Sequence, residues 1–113
     1  MDIKINVLPL LYTKKHTIME IHKLLVLSTG HLPHNEFKKL GDANSFDVGF
    51  STMSHEYGTI VNLHDAENEC VTKRTVEFPK LTKIIEYAEA NGIKYINFDQ
   101  DGNIEKEFEK FDW

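Results

Sequence analysis

Pro79 and the pair Asn91-Gly92 bracket the segment of this sequence that most restricts its fold. Between them Leu81, Ile84, Ile85 and Ala88 recur at i, i+3, i+4 and i+7, which stacks apolar side chains on one helical face. Proline suits a first helical turn, where its missing N–H has no partner to lose, and Asn-Gly supplies a left-handed stop. The period then switches to two in residues 93–98 (Ile-Lys-Tyr-Ile-Asn-Phe), a strand ending in the turn Asp99-Gln100-Asp101-Gly102. A one-faced helix joined to a strand by two residues needs a layered α and β core to bury both.

Upstream segments extend the pattern. Residues 23–29 (Lys-Leu-Leu-Val-Leu-Ser-Thr) form a short apolar run closed by Gly30, which reads as a buried strand. Pro33 opens a helix over 33–40 with Phe37 and Leu40 inward; Lys38 and Lys39 stand near its end and Gly41 stops it. Residues 46–53 alternate, with Phe46, Val48 and Phe50 on one face, and residues 57–64 form a second strand. A turn at 54–56 joins these two as an antiparallel hairpin. Residues 65–77 are polar and read as loop. Residues 3–12 begin with strand-like alternation that Pro9 confines to an edge, and residues 17–22 fit either a capped helix or a strand.

The expected fold is therefore α+β, in the order β-α-β-β-α-β. That is the split-βαβ, ferredoxin-like order, a mainly antiparallel sheet with two helices on one face. With 113 residues the chain is expected to be one domain, with residues 1–22 as an N-terminal extension and 99–113 as an acidic, aromatic tail. No apolar run approaches the roughly 18 residues of a membrane span. Asp2 and the lack of a small-residue cleavage site argue against a signal peptide. The single cysteine, Cys70, excludes an internal disulfide, and an intracellular, cytoplasmic setting is expected.

Charge is segregated along the chain. Residues 42–69 hold six acids (Asp42, Asp47, Glu56, Asp65, Glu67, Glu69) and no Lys or Arg. Residues 99–113 carry six acids against Lys106 and Lys110, and the whole chain has a net charge of −5. Phosphate binding needs clustered cations, so nucleic acid is not an expected direct partner. An acidic surface favours a basic protein partner.

Three constellations bear on chemistry. His31, His34, His55 and His64 invite a metal reading, but no His-Glu-x-x-His or Cys-x-x-Cys is present, so surface or capping roles are expected and no metal or cofactor. Asn97-x-Asp99-x-Asp101-Gly102 matches the start of a calcium loop, yet Phe108 stands where the bidentate Glu belongs. Ser28, Thr29, His31 and His55 could form a pocket for a ligand or a hydrolytic reaction, although the nucleophile-elbow pattern is absent. Capping is the simpler role for Ser28 and Thr29.

Three patches of this sequence carry a resemblance: Leu27-Ser28-Thr29-Gly30-His31-Leu32; His55-Glu56-Tyr57-Gly58; and Ala90-Asn91-Gly92 with Ile96-Asn97-Phe98-Asp99. In their order and spacing over residues 24–101 the chain resembles a family of short uncharacterised proteins carried on phages, plasmids and integrated elements. The resemblance implies an accessory role, often beside antirestriction genes, and transfers no catalytic residue. The function expected is thus a non-enzymatic inhibitor of a host defence complex, of the anti-CRISPR or antirestriction type, in the bacterial cytoplasm. Asp47, Glu56, Tyr57, Asp65, Glu67 and Glu69 would contact a basic nucleic-acid-binding groove of the target. The alternatives are the ligand-binding or hydrolytic pocket, and a small regulatory subunit that oligomerises through its sheet edge. Either a monomer or a homodimer is compatible.

Overall fold

The computed structural model describes residues 19–42, 45–65 and 68–113. The expected strand at 3–12, and Glu67, lie outside them. In chain order the elements are β1 (Lys23–Ser28), α1 (His34–Lys39), α2 (Ser45–Val48), β2 (Phe50–His55), β3 (Gly58–Leu63), α3 (Asn68–Glu77), α4 (Pro79–Ala90) and β4 (Ile93–Asp99). Short 3-10 turns follow β1 at Thr29–His31 and α1 at Leu40–Asp42.

Among the described residues the sheet has four strands, in the order β1-β4-β3-β2. β1 pairs parallel with β4, while β4 with β3 and β3 with β2 are antiparallel. Leu27, Val61, Ile96 and Phe98 project from one sheet face into a core completed by Leu81, Ile84, Ile85 and Ala88 of α4. Phe50 and Phe78 meet edge to face in this core, with ring centroids 5.5 Å apart. On the opposite sheet face, Val26, Asn97, Ile60 and Met53 lie in one register row. Val26 and Met53 remain exposed there.

The helix at α4 and the strands β1 and β4 form where the local signals place them. Elsewhere the structure corrects the sequence reading. Residues 46–48 belong to α2, and Gly49, with φ of 75°, breaks the chain before β2 begins. Phe46 and Val48 are therefore helical, and only residues from Phe50 onward alternate. The hairpin turn is Glu56-Tyr57, and His55 Nδ1 accepts the Tyr57 N–H at 3.2 Å across it.

The larger correction concerns residues 65–77, read as loop. Ten of them form α3, whose one fully buried residue is Arg74. A polar, β-branched helix without an apolar stripe leaves no periodic signal to read. Its presence changes the topology. One helix between two strands returns the chain parallel to its start. Here α3 and α4 follow each other, turning at Phe78, which Pro79 keeps out of the helical region (φ −133°, ψ 64°). Two helices remove the parallel constraint, so β4 returns antiparallel to β3 and lies beside β1. The split-βαβ order would interpose a strand between two parallel neighbours. This sheet has β1 and β4 in direct parallel contact instead, and is a mixed sheet within an α+β domain. No helix among the described residues is long and apolar enough to cross a membrane.

Candidate functional site

The sheet ends on one row of residues: Ser28, Asp99, Gly58 and His55 lie in register across β1, β4, β3 and β2. The loop after β1, the hairpin turn, the turn after β4 and the C-terminal tail all gather at this end.

The Ser28–Leu32 loop is a clamp for the tail. Ser28 N–H donates to Asn103 O at 3.0 Å, and Phe111 N–H to Gly30 O at 2.7 Å. His31, only 1% exposed, bridges two tail residues. Its Nε2 accepts the Glu105 N–H at 2.9 Å, so its Nδ1 must carry the proton that reaches Glu109 O at 2.7 Å. The Trp113 indole N–H donates to Leu32 O at 2.9 Å, and the Trp113 ring packs on His34 and Phe37. Lys80 Nζ closes the wrap on Glu109 at 2.7 Å and holds its carboxyl below the ordinary value of 4.5. That support is present above pH 4.5 and fades as the pH falls through the lower folded value. Replacing His31 with phenylalanine leaves the partly buried Glu105 amide and Glu109 carbonyl without this partner. The expected cost is about 2 kcal/mol in urea unfolding, with faster proteolysis after residue 104. Unchanged tail protection would refute the clamp.

Ser28 Oγ is likewise engaged, accepting the Gly30 N–H at 3.0 Å. Of the four residues expected to share a pocket, Ser28 and His31 thus serve the clamp. Thr29 and His55 do line one open groove of about 380 Å³, together with Phe37, Ser54, Glu56, Tyr57, Gly58, Thr59, Gln100 and Trp113. Within it His55 is fixed: Nδ1 accepts from Tyr57 N–H, so Nε2–H donates to Asn97 Oδ1 at 2.7 Å. The floor includes Thr59, 7% exposed, whose hydroxyl has no hydrogen-bond partner among the described residues. Gln100 N–H donates to Tyr57 O at 2.8 Å, which joins the hairpin turn to the turn after β4.

The expected acidic contact residues do not form one face. Glu56 and Tyr57 stand at the groove end of β3, and Asp65 lies beyond its other end, roughly 20 Å away along the strand. Glu69 is in the first turn of α3, at that far end. Asp47 accepts from Lys73 Nζ at 3.0 Å, which raises the Lys73 pKa and partly cancels the Asp47 charge. The calcium-like segment is a turn: Asp99 Oδ1 accepts the Asp101 N–H at 2.8 Å. Among the described residues no group of three or more His, Cys, Asp or Glu could hold a metal ion.

Two features escaped the sequence reading. Thr59 and Gln100 join the groove through strand pairing, which no local pattern announces. Glu36, which no sequence pattern singles out, is 1% exposed and caps the start of α4 through the N–H groups of Lys80 and Leu81.

Comparison with known proteins bears on the same region. Neither curated proteins nor solved structures give a match. A family model described as "Family of unknown function (DUF5983) C-terminal domain" matches residues 24–113, from β1 through the clamped tail to Trp113. The chain therefore belongs to the DUF5983 family, of which it carries the C-terminal domain.

Proposed function

We propose that this domain is a non-enzymatic binding protein of a mobile element that antagonises a host defence complex, of the anti-CRISPR or antirestriction type, in the bacterial cytoplasm. It does so by presenting acids and exposed aromatics to a basic nucleic-acid-binding groove of that complex. The observation that carries this reading is the composition of the groove end. Glu56, with no ion-pair partner among the described residues, stands beside Tyr57 and Trp113, which are 46% and 57% exposed. Asp101 and Asp112 directly follow and precede the groove residues Gln100 and Trp113 in sequence. No Lys or Arg is among the groove residues. Exposed Tyr and Trp side chains beside acids fit a surface that meets a basic partner, and Lys110, 3.8 Å from Asp112, offsets only part of the acidic charge there. Asp65 and Glu69 supply a second acidic patch at the other end of β3.

Reversing three charges at the groove end (Glu56→Lys, Asp101→Lys, Asp112→Lys) tests the reading. The reversed protein should lose binding to a purified effector complex by about 3 kcal/mol, roughly a hundredfold, and should no longer protect invading DNA from a restriction or CRISPR nuclease. Reversal at Asp65 and Glu69 should have the smaller effect. Full protection by the groove-end variant would defeat the electrostatic mechanism.

A further inference from the structure

We infer that the groove between the β2–β3 hairpin and Trp113 is a slot for an arginine side chain of the partner. This rests on the binding-protein reading above and names the chemistry that the surface recognises. Four properties of the groove converge on a guanidinium group. Glu56 provides a carboxylate that can take two parallel N–H donors. Trp113 is held by its indole bond to Leu32 and backed by the Phe37 ring at 5.2 Å, so its place is set before any ligand arrives. With Tyr57 it offers ring faces on which a planar cation stacks.

Thr59 is the second, independent indication. It is more than nine-tenths buried, it lines the groove, and its hydroxyl lacks a partner among the described residues. That hydroxyl is accessible at the groove surface, so a ligand donor can reach it without displacing a bond within the chain. Finally, no lysine or arginine among the described residues lines the groove to compete for Glu56. Its volume of about 380 Å³ lies at the low end of ligand pockets, which suits one large side chain and little more. Arginine is favoured over lysine because only the planar, five-donor fork can stack on an aromatic ring while bonding a carboxylate and a hydroxyl. An anionic ligand is opposed by Glu56.

The probe is the peptide acetyl-hexaarginine amide, titrated into the full chain and followed by amide NMR shifts, with Trp113, the one tryptophan, as a fluorescence reporter. The expected result is saturable shifts confined to Thr29, the 55–59 segment, Gln100 and the Trp113 indole. Acetyl-hexalysine amide should bind about tenfold more weakly. Glu56→Gln and the near-isosteric Thr59→Val should each weaken arginine binding by roughly three- to tenfold, in proteins whose spectra show the fold intact. Equal binding of the two peptides would overturn the inference. So would shifts spread over Asp65 and Glu69 as well, or insensitivity to Glu56→Gln. The nuclease-protection assay separates the two claims. If arginine fails to enter the groove while charge reversal still abolishes protection, the slot is wrong and the inhibitor reading stands. If the slot binds arginine but no defence nuclease is inhibited, the slot stands and the inhibitor reading falls.

Discussion

Replacing Gly58 with alanine should cost about 3 kcal/mol or more and detach the hairpin end of β3 from β4. A Cβ at this position would lie 1.7 Å from Phe98 O and 2.8 Å from Phe98 C. Both are backbone atoms, and neither can rotate away. Phe98 is fully buried, and β3 is held between β2 and β4, so the sheet cannot open locally without disturbing the core. The glycine is required here for close approach, not for an unusual backbone angle. Gly41→Ala serves as the control, since nothing lies within 4 Å of a Cβ there. That variant should be neutral or stabilised by a few tenths of a kcal/mol, through lost freedom of the unfolded chain. Urea denaturation of both variants settles the point, and a Gly58→Ala midpoint equal to that of the parent would contradict the geometry. Because the same glycine ends the hairpin that carries Glu56 and Tyr57, the variant should also lose target binding.

The second large effect is expected at Glu36. α4 begins at Pro79, and its cap residue Phe78 has no side chain able to accept a hydrogen bond. The first N–H groups of a helix need partners from elsewhere. Glu36 of α1 supplies them from 45 residues away: Oε1 accepts from Leu81 N–H at 3.0 Å, and both oxygens lie 3.2 Å from Lys80 N. The carboxylate is buried, and no Lys or Arg side chain pairs with it among the described residues. It is balanced by the helix N-terminus instead. Glu36→Ala strands the buried Leu81 amide and the partly buried Lys80 amide and removes the charge that faces the dipole, for an expected loss of about 3 kcal/mol. Glu36→Gln keeps one acceptor oxygen and should lose about half as much. Hydrogen exchange at the Leu81 amide reads the cap directly. Protection there that survives Glu36→Ala would show that the cap contributes little. Since a small domain holds only about 5–15 kcal/mol in total, either variant takes a large share of it.

The elements that could be read from local residues share a property: each carries its own boundary signals. α4 has Pro79 before its stripe and Asn91-Gly92 after it, β4 alternates between that stop and the Asp99–Gly102 turn, and β1 ends at Gly30. Where such signals were missing the reading failed. α3 buries Arg74 rather than a stripe of apolar residues, so it looked like loop. Gly49 divided a run that alternates in sequence but is helical in its first half. The acidic segment 42–69 was legible as a charge block, but its members separate because a six-residue strand lies between the hairpin turn and Asp65.

The candidate site follows the same division. Leu27-Ser28-Thr29-Gly30-His31-Leu32 was visible as an unusual patch, and its residue types invited a ligand-binding or hydrolytic reading. Its bonds run to residues 74 to 81 positions away, in the tail, and convert it into a clamp.

The sequence by itself determined which segments prefer helix or strand, the mixed α and β class, and the net negative charge, because each of these depends on neighbours within a few residues or on simple sums. Only the tertiary structure decided the strand order, the cap on α4, the partners of His31, and which acids and aromatics share a groove. Those depend on contacts between segments far apart in the chain. Which of several compatible contacts forms is chosen by the packing of the whole core, which here places β4 between β1 and β3, parallel to the first and antiparallel to the second.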